Sequence, residues 1–335
     1  MDIDAFVAAH SPAWRRLDEL VRRAGRPRRC TGAELDELVE LYQRTATHLS
    51  VIRTSSPDPH LVDRLSTLVA RARAVVAGAH ATSWRDLTRF AAVTFPAAVY
   101  RSRRWFFGAA VGSLLVAFAL GIWIAGNPEV QGALAAPDEI RQLVEHDFED
   151  YYSSQPASSF AAQVFTNNAW VGATAFALGI FLGIPTVLLL LLNSVNVGIA
   201  GGFMAANDRL GLFFGLILPH GLLELTAVFI AAGVGLRIGW TVIDPGPRRR
   251  SEALAEEGRS AVAVVLGLVV VFFVAGLIEA FVTPSGLPTW ARVGVGVVVE
   301  VLFLAWVLVL GRRAALAGET GDLVAELRGD VRPRA

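Results

Sequence analysis

Long apolar runs that are almost free of charge are the feature of this sequence that most constrains its fold. Such runs extend over residues 105–125, over about 170–192 and over most of the stretch 195–311. A helix needs about 20 apolar residues to cross the hydrocarbon core of a bilayer, and 54% of the 335 residues are hydrophobic. The sequence therefore predicts an all-α, polytopic membrane protein.

The first hundred residues lack such a run and are predicted to form a helical domain, 1–100. Their apolar residues recur at helical spacing: Trp14, Leu17, Val21, Leu35, Leu38, Val39 and Tyr42. Helices are predicted to start at Ser11, followed by Pro12, and at Thr31, which has capping-box spacing to Glu34. The many arginines here come without a nucleic-acid motif, so we expect a solvated face and no nucleic acid. The lone Cys30 excludes an internal disulfide.

The positions of the positive residues predict the orientation in the membrane. Cytoplasmic flanks retain Arg and Lys, and arginines lie at 101–104, 248–250 and 312–313. Both termini are therefore predicted to be cytoplasmic, with a membrane domain at 101–315 and a tail at 316–335. The acidic segment 126–166 is predicted to be an outside loop. We expect a multi-pass protein of the cytoplasmic (inner) membrane, in contact with the lipid bilayer.

About six crossings satisfy this orientation. The predicted spans are 105–125, 170–192, 195–218, 220–242, 261–283 and 290–311. The third is irregular, because the apolar stretch 195–206 is too short to span and ends at Asn207-Asp208-Arg209. Residues 193 and 244 are both predicted to be cytoplasmic, so an even number of crossings must separate them. An interrupted helix followed by a second span satisfies this, and so does a re-entrant pair that replaces the third and fourth crossings. Either needs shielding from lipid, which cannot satisfy free backbone amides.

Glycines spaced four residues apart favour close helix packing or a homo-oligomer. The pairs are Gly108 and Gly112, Gly179 and Gly183, Gly211 and Gly215, and Gly235 and Gly239.

Polar residues inside the apolar runs are the candidate site. His220 and Glu224 lie one turn apart on one helix face, and Pro219 is predicted to open that helix at the outer side. Glu279 is placed near the outer end of its span, and Glu300 near mid-membrane. Asparagines complete the set: Asn167 and Asn168 at the predicted outer start of the second span, and Asn193 after it. Arg237 is expected to extend its guanidinium to the headgroups.

Three hypotheses follow for this cluster. A structural hydrogen-bonded network is the first, and a pathway or binding site for a proton, ion or small solute is the second. The third is an intramembrane metal-dependent hydrolase, for which a catalytic zinc needs about three protein ligands and an open position. His220 and Glu224 supply two ligands, and no HExxH motif is present. The sequence predicts no cofactor and leaves a metal undecided.

Several segments resemble the stage II sporulation protein M family of integral membrane proteins. They are LPHGLLELTAVFIAAG at 218–233, NSVNVG at 193–198, GLIEAFVTP at 276–284, and two shorter matches at 14–17 and 40–42. The resemblance implies a scaffold in a cell-envelope complex, not an enzyme, that holds periplasmic wall-remodelling proteins during peptidoglycan remodelling. The outside loop is large enough to dock such a partner.

Overall fold

The computed structural model describes residues 3–24, 31–55, 58–76, 84–150 and 157–323. The chain divides into two compact units, Met1–Asp86 and Leu87–Ala335. The division falls earlier than the predicted border at residue 100. Residues 91–99 belong to the second unit, where the Trp306 indole donates to the Ala91 carbonyl at 3.0 Å and the rings of Phe95 and Trp306 lie 5.2 Å apart.

The described part of the chain up to residue 76 contains three helices: α1 (Ile3–Ala24), α2 (Gly32–Ser55) and α3 (Pro59–Val76). Their apolar stripes pack into one core that includes Leu17, Leu38 and Leu65. Pro12 lies inside α1, so the predicted helix start at Ser11 is wrong. The predicted capping box is confirmed, since the Thr31 amide donates to Glu34 at 2.8 Å. That hydrogen bond is the main reason that the pKa of Glu34 is lowered.

The helix α4 (84–101) contains the boundary between the units, and its part from Leu87 onward, with a π-helical turn at Phe90–Thr94, belongs to the second unit. The remaining helices are α5 (Arg103–Ala125), α6 (Pro128–Leu134), α7 (137–150), α8 (Ala157–Ala177), α9 (Ile184–Ala206), α10 (Leu210–Ile243), α11 (Arg250–Phe281) and α12 (Thr289–Leu316). We name the bundle end where α5 begins and α10 ends the arginine end. The opposite end, which carries α6 and α7, is the loop end.

Within the described residues, five helices are long and apolar enough to cross a membrane: α5, α9, α10, α11 and α12. Large apolar side chains on α5, α11 and α12 are exposed, for example Ile122, Val270 and Leu302. Stripes of this kind are expected on a surface that faces lipid. The prediction of an all-α membrane protein with several spanning helices is therefore confirmed.

A further helix of the bundle, α8, overlaps the beginning of the second predicted span, 170–192, and is shorter and less apolar than these five helices. It lies alongside α10 and α11, because a Cβ on Gly172 would meet Phe272 at 2.8 Å and Ala231 at 3.8 Å. Near the other end of α8, Gly179 is packed directly against the backbone of Gly235. The helix α8 therefore runs from the loop end to the arginine end of the bundle.

The break in the chain lies elsewhere than the sequence predicts. Residues 170–192 are not one span: a 3₁₀ turn at Leu178–Ile180 follows α8, and the left-handed residues Leu182 and Gly183, with φ of 58° and 75°, precede α9. The segment 195–206 is not a broken piece, since it belongs to the continuous α9. Likewise, Pro219 does not open a helix but lies inside the 34-residue α10.

The glycine pairs divide into packed and open positions. Gly179 and Gly183 meet Gly235 and Gly239, and a Cβ on Gly239 would lie 2.5 Å from the Gly179 oxygen. Gly108 and Gly112 have no atom within 4 Å of such a Cβ. Close packing is thus confirmed for the two pairs that join α10 to the turn after α8.

This difference predicts the outcome of matched substitutions. Gly235→Ala places a methyl group 2.8 Å from the carbonyl oxygens of Ala175 and Phe176, and we expect it to lower the free energy of unfolding by about 1–3 kcal/mol. Gly112→Ala is the control, because it gains the same helix propensity in open space. Thermal unfolding in detergent measures both, and equal stability of the two variants would contradict the packing.

Candidate functional site

A polar cavity of about 790 Å³ lies among α5, α8, α9, α10 and the end of α11. Its polar lining comes from all five helices: Ser113, Asn167, Asn168, Asn193, Ser194, Asn196, His220, Glu224 and Glu279. Apolar side chains such as Val228 and Phe229 form the rest of the wall. A cavity of this size and mixed lining is typical of a small-molecule or ion site.

His220 is the best-oriented member of the cavity wall. Its side chain is buried, its Nδ1 lies 3.1 Å from the Thr283 hydroxyl, and its Nε2 lies 3.8 Å from Glu279 Oε1. Thr283 is fully buried and follows the last turn of α11. The imidazole is therefore held on one side, and its second nitrogen is directed at the carboxylates.

Two carboxylates complete a compact cluster with His220. One ligand atom from each of His220, Glu224 and Glu279 lies within 4.8 Å of the other two. Glu279 is 4% exposed, and its Oε2 has no hydrogen-bond partner. The buried Glu279 and the half-buried Glu224 repel each other at such a separation when both are ionised, so the cluster favours a bound cation or proton.

The structure unites most of the predicted site residues. Six of them line the cavity: His220, Glu224, Glu279, Asn167, Asn168 and Asn193. The predicted positions need correction, however, because His220 lies ten residues into α10, about 15 Å along its axis. Asn167 and Asn168 lie in the middle of α8 and not at the start of a span, and Asn193 lies within α9 and not after a span.

Glu300 is the predicted site residue that the cavity leaves out. Its Oε1 accepts a hydrogen bond from the Thr226 hydroxyl at 2.8 Å, between α12 and α10, whereas its Oε2, like that of Glu279, has no hydrogen-bond partner. Glu300 is therefore the natural control for experiments on the three clustered side chains.

Sequence inspection missed Ser113, Ser194, Asn196 and Thr283. A signal was present for Asn196, because it follows Asn193 by three residues and so shares its helix face. Thr283 had no comparable signal, since its role depends on contact with His220 from a different helix.

A second group of charges lies at the arginine end of the bundle. Arg237 and Arg101 each donate to Glu257 Oε1 at 2.9 Å, and the Arg237 side chain is only 14% exposed. Arg101 also pairs with Glu256 at 2.7 Å. The expectation that Arg237 extends to the headgroups is thus wrong, because a buried carboxylate binds it inside the unit. Each of these acidic groups has an arginine partner, unlike those of the cavity.

The bundle and its polar cavity define a polytopic helical membrane protein with an internal site. Comparison with known sequences gives the family: residues 110–284 match Stage II sporulation protein M, over more than half of the chain. The chain belongs to this family, which confirms the resemblance noted in the sequence. The match spans α5 to α11 and therefore contains every residue of the cavity.

The first unit has its own match, because residues 4–78 correspond to a domain of unknown function (DUF8413). The chain is also similar to an uncharacterized protein of Methanocaldococcus jannaschii. The two are 32% identical over 124 residues, which cover 36% of this chain and 70% of that protein. No solved structure matches the chain.

Proposed function

We propose that this chain is a non-catalytic membrane protein that binds a small cation or polar solute in its cavity and passes it through the bundle. The unpartnered, buried Oε2 of Glu279 beside an open space of about 790 Å³ carries this proposal. An unpaired buried acceptor costs about 1–3 kcal/mol. Glu300 Oε2 is also unpartnered, but of these two carboxylates only Glu279 borders the cavity, where a ligand can reach it. A cationic ligand would satisfy this one.

A second, open and largely apolar space adjoins the polar cavity, and we take it as the route toward the arginine end. It has a volume of about 370 Å³ and extends from Arg104 and Trp105 at the arginine end to Ser113, Leu190 and Ser194. These last three residues also line the polar cavity. The two spaces therefore adjoin where α5 and α9 contribute these residues, and we place the constriction of the pathway there.

The loop end of the pathway is covered by α7. Phe148 of α7 stacks on Phe213 of α10 with ring centroids 5.5 Å apart, and Phe213 also lines the polar cavity. Ile140 and Val144 pack into the same apolar cluster. We assign α7 the role of a cover that must move or leave a gap when a solute enters.

We further propose that the arginine end faces the cytoplasm, which places the protein in the cytoplasmic membrane with both termini inside. The support comes from Arg101, Arg103 and Arg104 at the start of α5 and Arg312 and Arg313 near the end of α12. The loop end, with its acidic helices, then faces outward.

A second candidate function is a scaffold in a cell-envelope complex, and the exposed acidic face of α6 and α7 favours it. The exposed acidic residues there are Glu129, Asp138, Glu139, Glu145 and Asp147. This face suits docking of a basic partner, for example a periplasmic wall-remodelling protein. Cross-linking in intact cells through a photoreactive group at Glu145 tests it, and recovery of no protein except this chain would exclude a hetero-complex.

Cysteine labelling tests the pathway. In a Cys30→Ser background we compare Asn193→Cys, which lies on the cavity wall, with Leu192→Cys, whose side chain is 66% exposed on the outer face of α9. We expect a small charged thiol reagent to modify Asn193→Cys at least about tenfold faster, because the reactive thiolate forms in water and not in lipid. Equal rates would mean that the cavity holds no water, and the pathway would be rejected.

Orientation has a separate test. Asp147→Cys and Ser251→Cys are both at exposed positions, on opposite ends of the bundle. We expect a membrane-impermeant maleimide to label Asp147→Cys in intact cells and to label Ser251→Cys only after the cells are opened. Labelling of Ser251→Cys in intact cells would reverse the proposed orientation.

A further inference from the structure

We propose that His220, Glu224 and Glu279 bind a divalent transition-metal ion of the zinc class. This inference rests on the proposed function, since it names the cation that the cavity would take. The arrangement joins a ring nitrogen and two carboxylates, from α10 and α11, within one 4.8 Å cluster.

The donor set suits such an ion. Zinc binds His nitrogen and Asp or Glu oxygen at about 2.0–2.2 Å, so tetrahedral donors lie about 3.4 Å apart. Side-chain movements on the order of 1 Å would bring the three ligand atoms from within 4.8 Å to this spacing. Three protein ligands leave a further position open, and His220, Glu224 and Glu279 all border the polar cavity. Water or an asparagine side chain from the cavity wall can occupy that position.

Thr283 prepares His220 for this role. Its hydroxyl lies 3.1 Å from Nδ1, and a histidine that binds a metal commonly donates its other ring N–H to an outer partner. When Nδ1–H donates to the Thr283 oxygen, Nε2 carries the lone pair of the ring, and it faces Glu279 Oε1 at 3.8 Å. Thr283 is thus a positioning residue, which acts through the imidazole.

Charge also favours a divalent cation. Neutral His220 with two ionised carboxylates carries a charge of −2, which one divalent ion balances. Among the cavity-lining residues that the structure describes there is no Arg or Lys, so no side chain of the wall supplies that positive charge. At the arginine end, by contrast, Glu257 is paired with Arg101 and Arg237.

Glu279 Oε2 is a second observation that points to a ligand, because this unpartnered oxygen, unlike the equally unpartnered Glu300 Oε2, belongs to a cluster with a ring nitrogen and a second carboxylate. The side chain is 5% exposed, and its other oxygen lies 3.8 Å from His220 Nε2. Oxygen atoms that are this buried are nearly always paired, and a metal ion bound by the carboxylate would satisfy Oε2.

The test uses the full chain, purified in detergent without a polyhistidine tag and stripped with chelator. Zn²⁺ binding is measured by competition with a fluorescent indicator, and Co²⁺ absorption reports whether nitrogen and oxygen donors surround the ion. We expect one Zn²⁺ per chain at this site. We expect Glu279→Gln and Glu224→Gln to weaken it by about 100-fold or more, and Thr283→Val by about 10–100-fold. Glu300→Gln, the buried membrane carboxylate outside the cluster, should change affinity by less than about twofold.

Equal Zn²⁺ affinity in the wild-type chain and in Glu279→Gln, Glu224→Gln and Thr283→Val would overturn the inference. Gel filtration and thermal unfolding first establish which variants are folded. If Glu279→Gln does not fold, Thr283→Val decides, because it leaves all three donors in place.

The metal site and the pathway fail in different ways. Zn²⁺ binding that depends on Glu279, together with no labelling of Asn193→Cys, would support the metal site and reject passage through the cavity. Rapid labelling of Asn193→Cys in a chain that does not bind Zn²⁺ would support the pathway and overturn the metal site.

Discussion

Shielding of α10 from lipid is the constraint on which the rest of the membrane unit depends. This helix carries His220, Glu224, Thr226 and Arg237, and it packs against α5, α8, α9, α11 and α12. Ionisable side chains are costly in hydrocarbon, so the surrounding helices are arranged around the polar residues of α10. Glycine contacts allow this packing, because Gly233, Gly235 and Gly239 leave room for the backbones of neighbouring helices.

Much of the fold could be predicted from the sequence, because bilayer thickness fixes the length of an apolar helix. The spans at α5, α11 and α12 lie close to their predicted ranges. The break before α9 was misplaced because the length of the apolar run 170–192 outweighed the signal of Gly183 followed by Pro185. A left-handed glycine and a proline in the first turn mark a helix start, and they do so here.

The candidate site was predictable in part. Periodicity places His220 and Glu224 on one face, but it gives no information about contacts between helices. The pairing of Arg237 with Glu257 and of Glu300 with Thr226 depends on tertiary packing. The two buried charge groups then differ in one respect that only the structure reveals. Glu257 has arginine partners within the chain, whereas Glu279 has an oxygen without any.

Phe213 has a consequence for regulation, because it contacts both the polar cavity and the covering helix α7. The Phe213 side chain forms part of the wall of the polar cavity, and its ring also stacks on Phe148 of α7. A protein that docks on α7 and displaces Phe148 would change the cavity wall, and so the affinity of the cavity for its ligand. Thermodynamic linkage makes such an effect reciprocal. A cavity ligand would then tune, by the same factor, how tightly the outer face holds its partner, so the two candidate functions would be coupled in one molecule.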